Sequence, residues 1–560
     1  MRGEKKMFNE RKIDLFFMCL TAFSVLFILV FNISVTMSAV SYPWNQTALD
    51  VTCAGGCTPD PIGYYSSYGL CGGLVKYKMV DGSYYIQSPG GLSWDISDID
   101  CLNAFDKWSL GAGGPTGAYL PAGTYLGNPT VSWSNISNYT IYDCGNITQP
   151  GTYTLNQSIT AVGTCLQIQA DNVTLEGAGF TITGDGTGYG INASASGAGA
   201  NAHTNITIQN LTLADFIVDV SAIGMDSAGN GGAGGNLTIY NSIIPVVNCS
   251  GGKGDSDVDG VGNGGKGGEV VIINSNMTSI TVVGGSAGAQ ATGGNGGAVS
   301  INNSNITTII TSGSSSSTTG SGGTAGTVNV VHSVISSIVS SGEAAFGGVG
   351  KFAGTGGNVT AIDSNITTIT SSGGGAPFGA VGGSGGKMTL TNSTIKTIIS
   401  IGGAAPTAAG GSGGNVTLIE SVILLNGVSI DLSRSSAGTP VGVVGTLILN
   451  KTSFSNTSFG EIKFFNITTK NTSFSSILHV MNNSVYVDSA NYADYNVSAN
   501  ITLRGLKTTY VIPHIYRDGT VICNQTTKPS CWNFTSLNAG TVIFNVSSWS
   551  NYSIGEGNAP

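Results

Sequence analysis

The chain has 560 residues, a net charge of −9 and only 9% charged residues, against about 25% in ordinary soluble domains. The acidic balance and the lack of a basic patch in the Gly-rich middle of the chain argue against a nucleic-acid partner. Eighty-five glycines beside 15 prolines, with no three-residue period, exclude collagen.

The first element is an address. Arg2, Lys5, Lys6, Arg11 and Lys12 precede an uncharged stretch, Leu15 to Val40, whose apolar core from Leu15 to Phe31 is broken only by Thr21 and Ser24. This core exceeds the roughly 7–15 residues of a signal-peptide h-region. With the residues after it, it is long enough to span a bilayer. The positive-inside rule places Met1 in the cytoplasm and everything after residue 40 outside. Ala39 is a mediocre cleavage site with Met37 upstream, so the reading favours an uncleaved anchor over a cleaved signal. Roughly thirty Asn-X-Ser/Thr sequons, from Asn45 to Asn551, accord with export.

Residues 41–140 form a Cys- and Tyr-rich module without a repeat. Its strand candidates include Leu74–Val80, Ser83–Ile86 and Ala118–Leu126, divided by Gly/Pro turns. Nine cysteines follow the apolar segment: Cys53, Cys57, Cys71, Cys101, Cys144, Cys165, Cys249, Cys523 and Cys531. In an exported chain these read as disulfides, Cys523 with Cys531 and Cys144 with Cys165, leaving three pairings open among the first four. Nine is odd, and Cys249 is the candidate for the unpaired thiol. A zinc site is disfavoured, because Cys53 and Cys57 lack a second close pair.

The repeats follow. Aligned on Ser242, Ser275, Ser304, Ser333, Ser364, Ser393 and Ser421, seven copies place Leu237, Val270, Val299, Val328, Val359, Met388 and Val416 five residues upstream. Two residues downstream come Ile244, Met277, Ile306, Ile335, Ile366, Ile395 and Ile423. The column five downstream (Val247, Ile280, Ile309, Ile338, Ile369, Ile398) fails only at Asn426. A fixed period with alternating Val and Ile predicts a solenoid of β-coils. Stacked coils lie about 4.8 Å apart, so a repeated ionisable residue would face its own charge, whereas Asn, Ser and Thr form ladders. The Gly/Ser/Ala segments between strands, such as Ser312–Gly323, are expected to be loops forming a flexible, uncharged face.

The runs Ile147-Thr148-Gln149-Pro150-Gly151-Thr152-Tyr153-Thr154-Leu155, Gly163-Thr164-Cys165-Leu166-Gln167-Ile168 and Asn172-Val173-Thr174-Leu175-Glu176-Gly177-Ala178-Gly179, with Asn205 to Leu213, resemble the entry coils of right-handed parallel β-helix proteins. The resemblance is to exported archaeal β-helix surface proteins of the pectate-lyase-like superfamily. Gly113 to Tyr125 looks like the opening strand of that superfamily and fits a small extracellular β module equally well. The resemblance implies an all-β fold with the β-helix at 141–450, after the anchor or signal at 1–40 and the module at 41–140. It also implies a β-sandwich-like C-terminal module at 451–560 that caps the open edge. It does not imply a function, since this architecture serves enzymes and structural proteins alike.

No catalytic, cofactor-binding or metal-ligating residue is expected. β-Helix enzymes of polysaccharides need paired acids or a base with calcium-binding carboxylates. Between Glu269 and Glu420 the further acids are Glu343 and Asp363, with His332 the only histidine. His332 and Asp363 stand in the column before the repeat serine, where most copies have Asn, which favours a turn role. The entry coils offer Asp171, Glu176, Asp185, Asp215, Asp219 and Asp226, in no recognised motif. Asp255, Asp257 and Asp259 have the Asp-x-Asp-x-Asp-Gly form of a calcium loop, but Lys266 stands where an EF-hand has its bidentate Glu. The expectation is therefore a non-enzymatic, glycosylated cell-surface protein, held in the membrane by one helix and serving as an envelope component or adhesin. The alternatives are a polysaccharide-active β-helix enzyme and a module binding glycans or other envelope proteins through residues 60–133.

Overall fold

The computed structural model describes the strand backbones between residues 48 and 133 and, with side chains, residues 139–557 apart from 256–259, 378, 436, 438 and 439. The basic stub and apolar segment, Cys53, Cys57, Cys101, Asp257 and Asp259 lie outside the described residues. Two units divide at Ser134/Asn135. In the first, nine strands form one antiparallel sheet, including Gly63–Cys71, Leu74–Met79, Tyr85–Gln87 and Trp94–Ser97. Leu120–Pro121 pairs antiparallel with Trp108–Leu110 in this sheet, so that stretch opens no solenoid coil.

The second unit is an all-β parallel solenoid. One file of strands runs in register from Gly151–Leu155 through Val173–Glu176, Ile206–Gln209, Asn236–Tyr240 and every repeat to Leu447–Asn456. Two further files form from the residues after each repeat serine, which merge into one bent strand in coils such as Asn305–Ile310 and Asn365–Thr370. Alternation turns the aliphatics inward: Ile306, Ile335, Ile366 and Ile395 stack on successive coils, all buried. The column that fails at Asn426 resumes at Ile430, which pairs with Ile398 after a turn at Gly427.

Two polar ladders run beside this core. Each repeat serine is buried, and from Ser242 to Ser393 its N–H donates to the hydroxyl oxygen of the next coil's serine, at 3.0 Å from Ser275 to Ser304 and from Ser304 to Ser333. Each hydroxyl then donates to the carbonyl two residues back, as from Ser304 to Asn302 at 2.8 Å. The residue before each serine carries the turn with φ near +50°, namely Asn241, Asn274, Asn303, His332, Asp363, Asn392 and Glu420, and Lys451 before Thr452 continues the column. Asparagine tolerates that region best among L-residues. Where the column departs from Asn it does so in complementary neighbours, His332 beside Asp363 and Glu420 beside Lys451.

The glycine segments correct the expectation of flexible loops. They run out from the coil and back as two layers of extended chain, many of their residues buried, joined across layers and coils by backbone hydrogen bonds. Gly265 N–H donates to Gly252, Gly285 to Gly265 and Gly294 to Gly285, each at 2.8 Å, and the zigzag continues through Gly323, Gly383 and Gly411. Close approach, more than backbone freedom, explains the residue type. A Cβ on Gly265 would lie 1.9 Å from the Gly232 oxygen, and one on Gly294 lies 2.0 Å from that of Gly265. Beyond the lattice, Ala345, Ala353, Ala376, Ala380 and Ala405 form a second small core.

At its C-terminal end the solenoid meets Leu447–Asn456, which pairs parallel with Val416–Ile419 and Val422–Leu424 and antiparallel with Gly460–Thr469. The strand edge is thus paired with chain of its own. Antiparallel strands continue this sheet, and a second sheet of five lies beside it. Their shared core is aromatic, with Phe454, Phe464, Phe474, Tyr495 and Tyr552 buried together with Trp549.

The lattice and the serine ladder each yield a test. A Cβ on Gly374 would stand 2.0 Å from the Glu343 carbonyl, whereas one on the next residue, Gly375, makes ordinary contact at 3.6 Å. Gly374→Ala is expected to lower stability by about 3 kcal/mol or more, and Gly375→Ala to be neutral or mildly stabilising, both read by thermal and urea unfolding. Ser304→Ala leaves the Ser275 N–H buried without an acceptor and should cost about 1–3 kcal/mol in the same measurement.

Candidate functional site

The outward face after the repeat serines is where the solenoid is concave. Asn276, Asn305 and Val334 align on successive coils, with Thr278, Thr307 and Ser336 two residues on and on the same side. With Met277 and Ile306 beneath and Ile243 and Pro245 at one end, they line an open trough of about 490 Å³. No charged side chain lines it. It offers carboxamides and hydroxyls at one-coil intervals between apolar ends, so it suits a neutral, polyhydroxylated partner. No carboxylate, imidazole or thiol is among its lining residues.

Asn276, Asn305 and Asn365 each lead a strand rather than sit in a flanking turn. The sequence marks them only as sequons. Their common face follows from the alternation after the serine, which was legible in the column one residue downstream.

A shallower hollow of about 320 Å³ lies between His332, Asp363, Asn365, Asn392 and Thr394. His332 Nε2 is 3.2 Å from Asp363 Oδ2, and Asp363 Oδ1 accepts from Asn392 Nδ2 at 2.5 Å. Both residues carry the left-handed turn, and the pair is a rung of the Asn ladder. At the next pair Lys451 Nζ lies 2.8 Å from Glu420 Oε1, which holds the Glu420 carboxyl below, and the Lys451 ammonium above, its ordinary pKa.

The acids of the entry coils are spread through local bonding. Asp171 accepts from the Thr204 N–H at 2.8 Å and lies 3.3 Å from His203. Glu176 accepts from Gln209 and Asn210 on the next coil. Asp185 accepts from Thr187, whose hydroxyl is the chief cause lowering its pKa. Asp226 accepts from the Lys253 N–H, and Asp215 occupies a left-handed turn. Among the described residues no three His, Cys, Asp or Glu side chains gather as metal ligands. Asp255 joins the lattice through its N–H to Gly229 at 2.9 Å.

Asp219 differs. It is 1% exposed, its Oδ2 accepts from the Val246 N–H at 2.8 Å, and its Oδ1 has no partner. Burial pushes its pKa up to about 6. A folded-state pKa raised above the unfolded value means stability fully present below about pH 4 and lost as pH rises through about 6. Asp219→Asn should therefore stabilise the protein at pH 7, by roughly 2 kcal/mol, and the advantage should vanish by pH 4. Thermal unfolding of both proteins across that range measures it.

Among the described residues two disulfides are formed, Cys144–Cys165 and Cys523–Cys531. Cys249 is free and buried, and burial pushes its thiol pKa far up, which makes it inert. Disulfides of this kind suit an extracellular environment. Among the described residues no helix is long and apolar enough to cross a membrane.

No protein-family model matches the sequence, and no curated protein matches it. Among solved structures, the Dettilon tailspike protein aligns with 74% of this chain and 86% of its own length, at 11% identity and a TM-score of 0.18.

Proposed function

We propose that this protein is a structural component of a cell surface, exported by its N-terminal segment and held in the membrane there, with the solenoid as a non-enzymatic rod of an envelope or adhesin. The finer kinship, to right-handed archaeal β-helix surface proteins of the pectate-lyase-like superfamily, belongs to the same proposal. The observation that carries it is how each coil uses its residues. Aliphatics fill the interior, serines and asparagines link coil to coil, and glycines close the remaining volume. Many outward positions carry Asn, Ser or Thr, with scattered exposed apolar residues such as Ile243 and Val334. The two disulfides support the extracellular setting.

Fractionation of the native cells with surface proteolysis tests the placement, and the solenoid is expected in the envelope fraction, open to protease from outside. Incubation with neutral and uronate polysaccharides, followed by assays for reducing ends and unsaturated uronates, tests the absence of catalysis. Reproducible turnover would replace the structural role with that of a polysaccharide-active enzyme.

A further inference from the structure

Nine Asn-X-Ser/Thr sequons lie between Gly234 and Leu425, and the coils sort them by what each side chain already does. Three are closed. Asn392 donates its Nδ2 to Asp363. At Asn302 the sequon hydroxyl belongs to Ser304, which is buried and bonded to the Asn302 carbonyl. At Asn248 it belongs to Ser250, also buried, whose hydroxyl donates to Asn248 Oδ1. In Asn236, Asn358 and Asn415 the Oδ1 accepts a backbone N–H from the next coil, leaving Nδ2 unused.

Asn276, Asn305 and Asn365 are open in full. Each is exposed, its carboxamide is bonded to nothing in the chain, and the period-2 alternation presents the sequon threonine (Thr278, Thr307 or Thr367) exposed on the same side. Asn276 and Asn305 stand inside the trough, which carries hydroxyls and no charge.

We propose that Asn276, Asn305 and Asn365 are N-glycosylation sites and that the chain's own glycan, not a soluble ligand, fills the trough. The co-reactant is a lipid-linked sugar diphosphate. The Asn nitrogen attacks the anomeric carbon, and the N–C bond forms as the C–O bond to phosphate breaks. The diphosphate leaves with the electron pair and the amide proton passes to a base. This inference rests on the export proposed above. It also meets a need of the fold, since glycans add bulk and solubility to a face with few charges of its own.

The test is glycopeptide mapping by mass spectrometry of the full-length protein from its native cells, beside fractionation of those cells. Sugar is expected on the peptides holding Asn276, Asn305 and Asn365, and absent from Asn248, Asn302 and Asn392. The triple substitution Asn276→Gln, Asn305→Gln and Asn365→Gln should remove the corresponding mass with the melting temperature of the enzymatically deglycosylated protein retained. Sugar on Asn302 or Asn392, or bare peptides at all three open sites in exported protein, would overturn the assignment while leaving the surface role intact. Protein confined to the cytoplasm would overturn both.

Discussion

Each coil of this solenoid lies one strand spacing, about 4.8 Å, above the coil before it and in register with it. Every residue therefore packs against whatever occupies its own position one copy away. That constraint selects the chain's composition column by column. An aliphatic gains from a copy of itself, and so does a serine whose N–H needs the hydroxyl above it. A charge does not, and charges enter the turn column only as opposites, Lys451 beside Glu420 and Asp363 beside His332, which pairs as an ion when protonated. Low charge follows from the fold.

The glycine lattice extends the same constraint to the backbone. Where two layers of chain approach until one residue's Cα faces another's carbonyl oxygen, no Cβ fits, and the N–H and C=O groups satisfy one another without side chains. Such a layer contributes little hydrophobic burial. Its order comes from dense hydrogen bonding and from the aliphatic coil and alanine core on either side of it. Asp219 stands apart as a buried carboxylate with one oxygen left without a hydrogen bond, a condition shared among the described residues by Arg517 Nε and Trp549 Nε1.

Much of this was legible in the sequence because period and phase are sequence properties. The columns of Ile306 and Val299 fixed the coil, its register and the inward face, and the cysteine count singled out Cys249. The glycine segments were misjudged as flexible because composition reports only that side chains are missing, and gives no sign that backbone has taken their space. The trough was hidden for a related reason. Asn276 and Thr278 are unremarkable as residues, and concavity arises from how the strand bends between Thr278 and Ser279, which no single column records. The sequons at Asn302 and Asn392 look equivalent to that at Asn305 until the ladder shows which groups are already engaged.

The seven copies also act as a ruler. Since the ladders, the aliphatic files and the glycine zigzag all hand over to the next coil by the same bonds, loss of one whole copy would leave both cut ends complementary. Recombination between neighbouring copies would then change the reach of the rod in steps of about 4.8 Å, while the closing strand at Leu447–Asn456 still met a coil of the shape it now covers. Length would then change by whole copies without touching the fold.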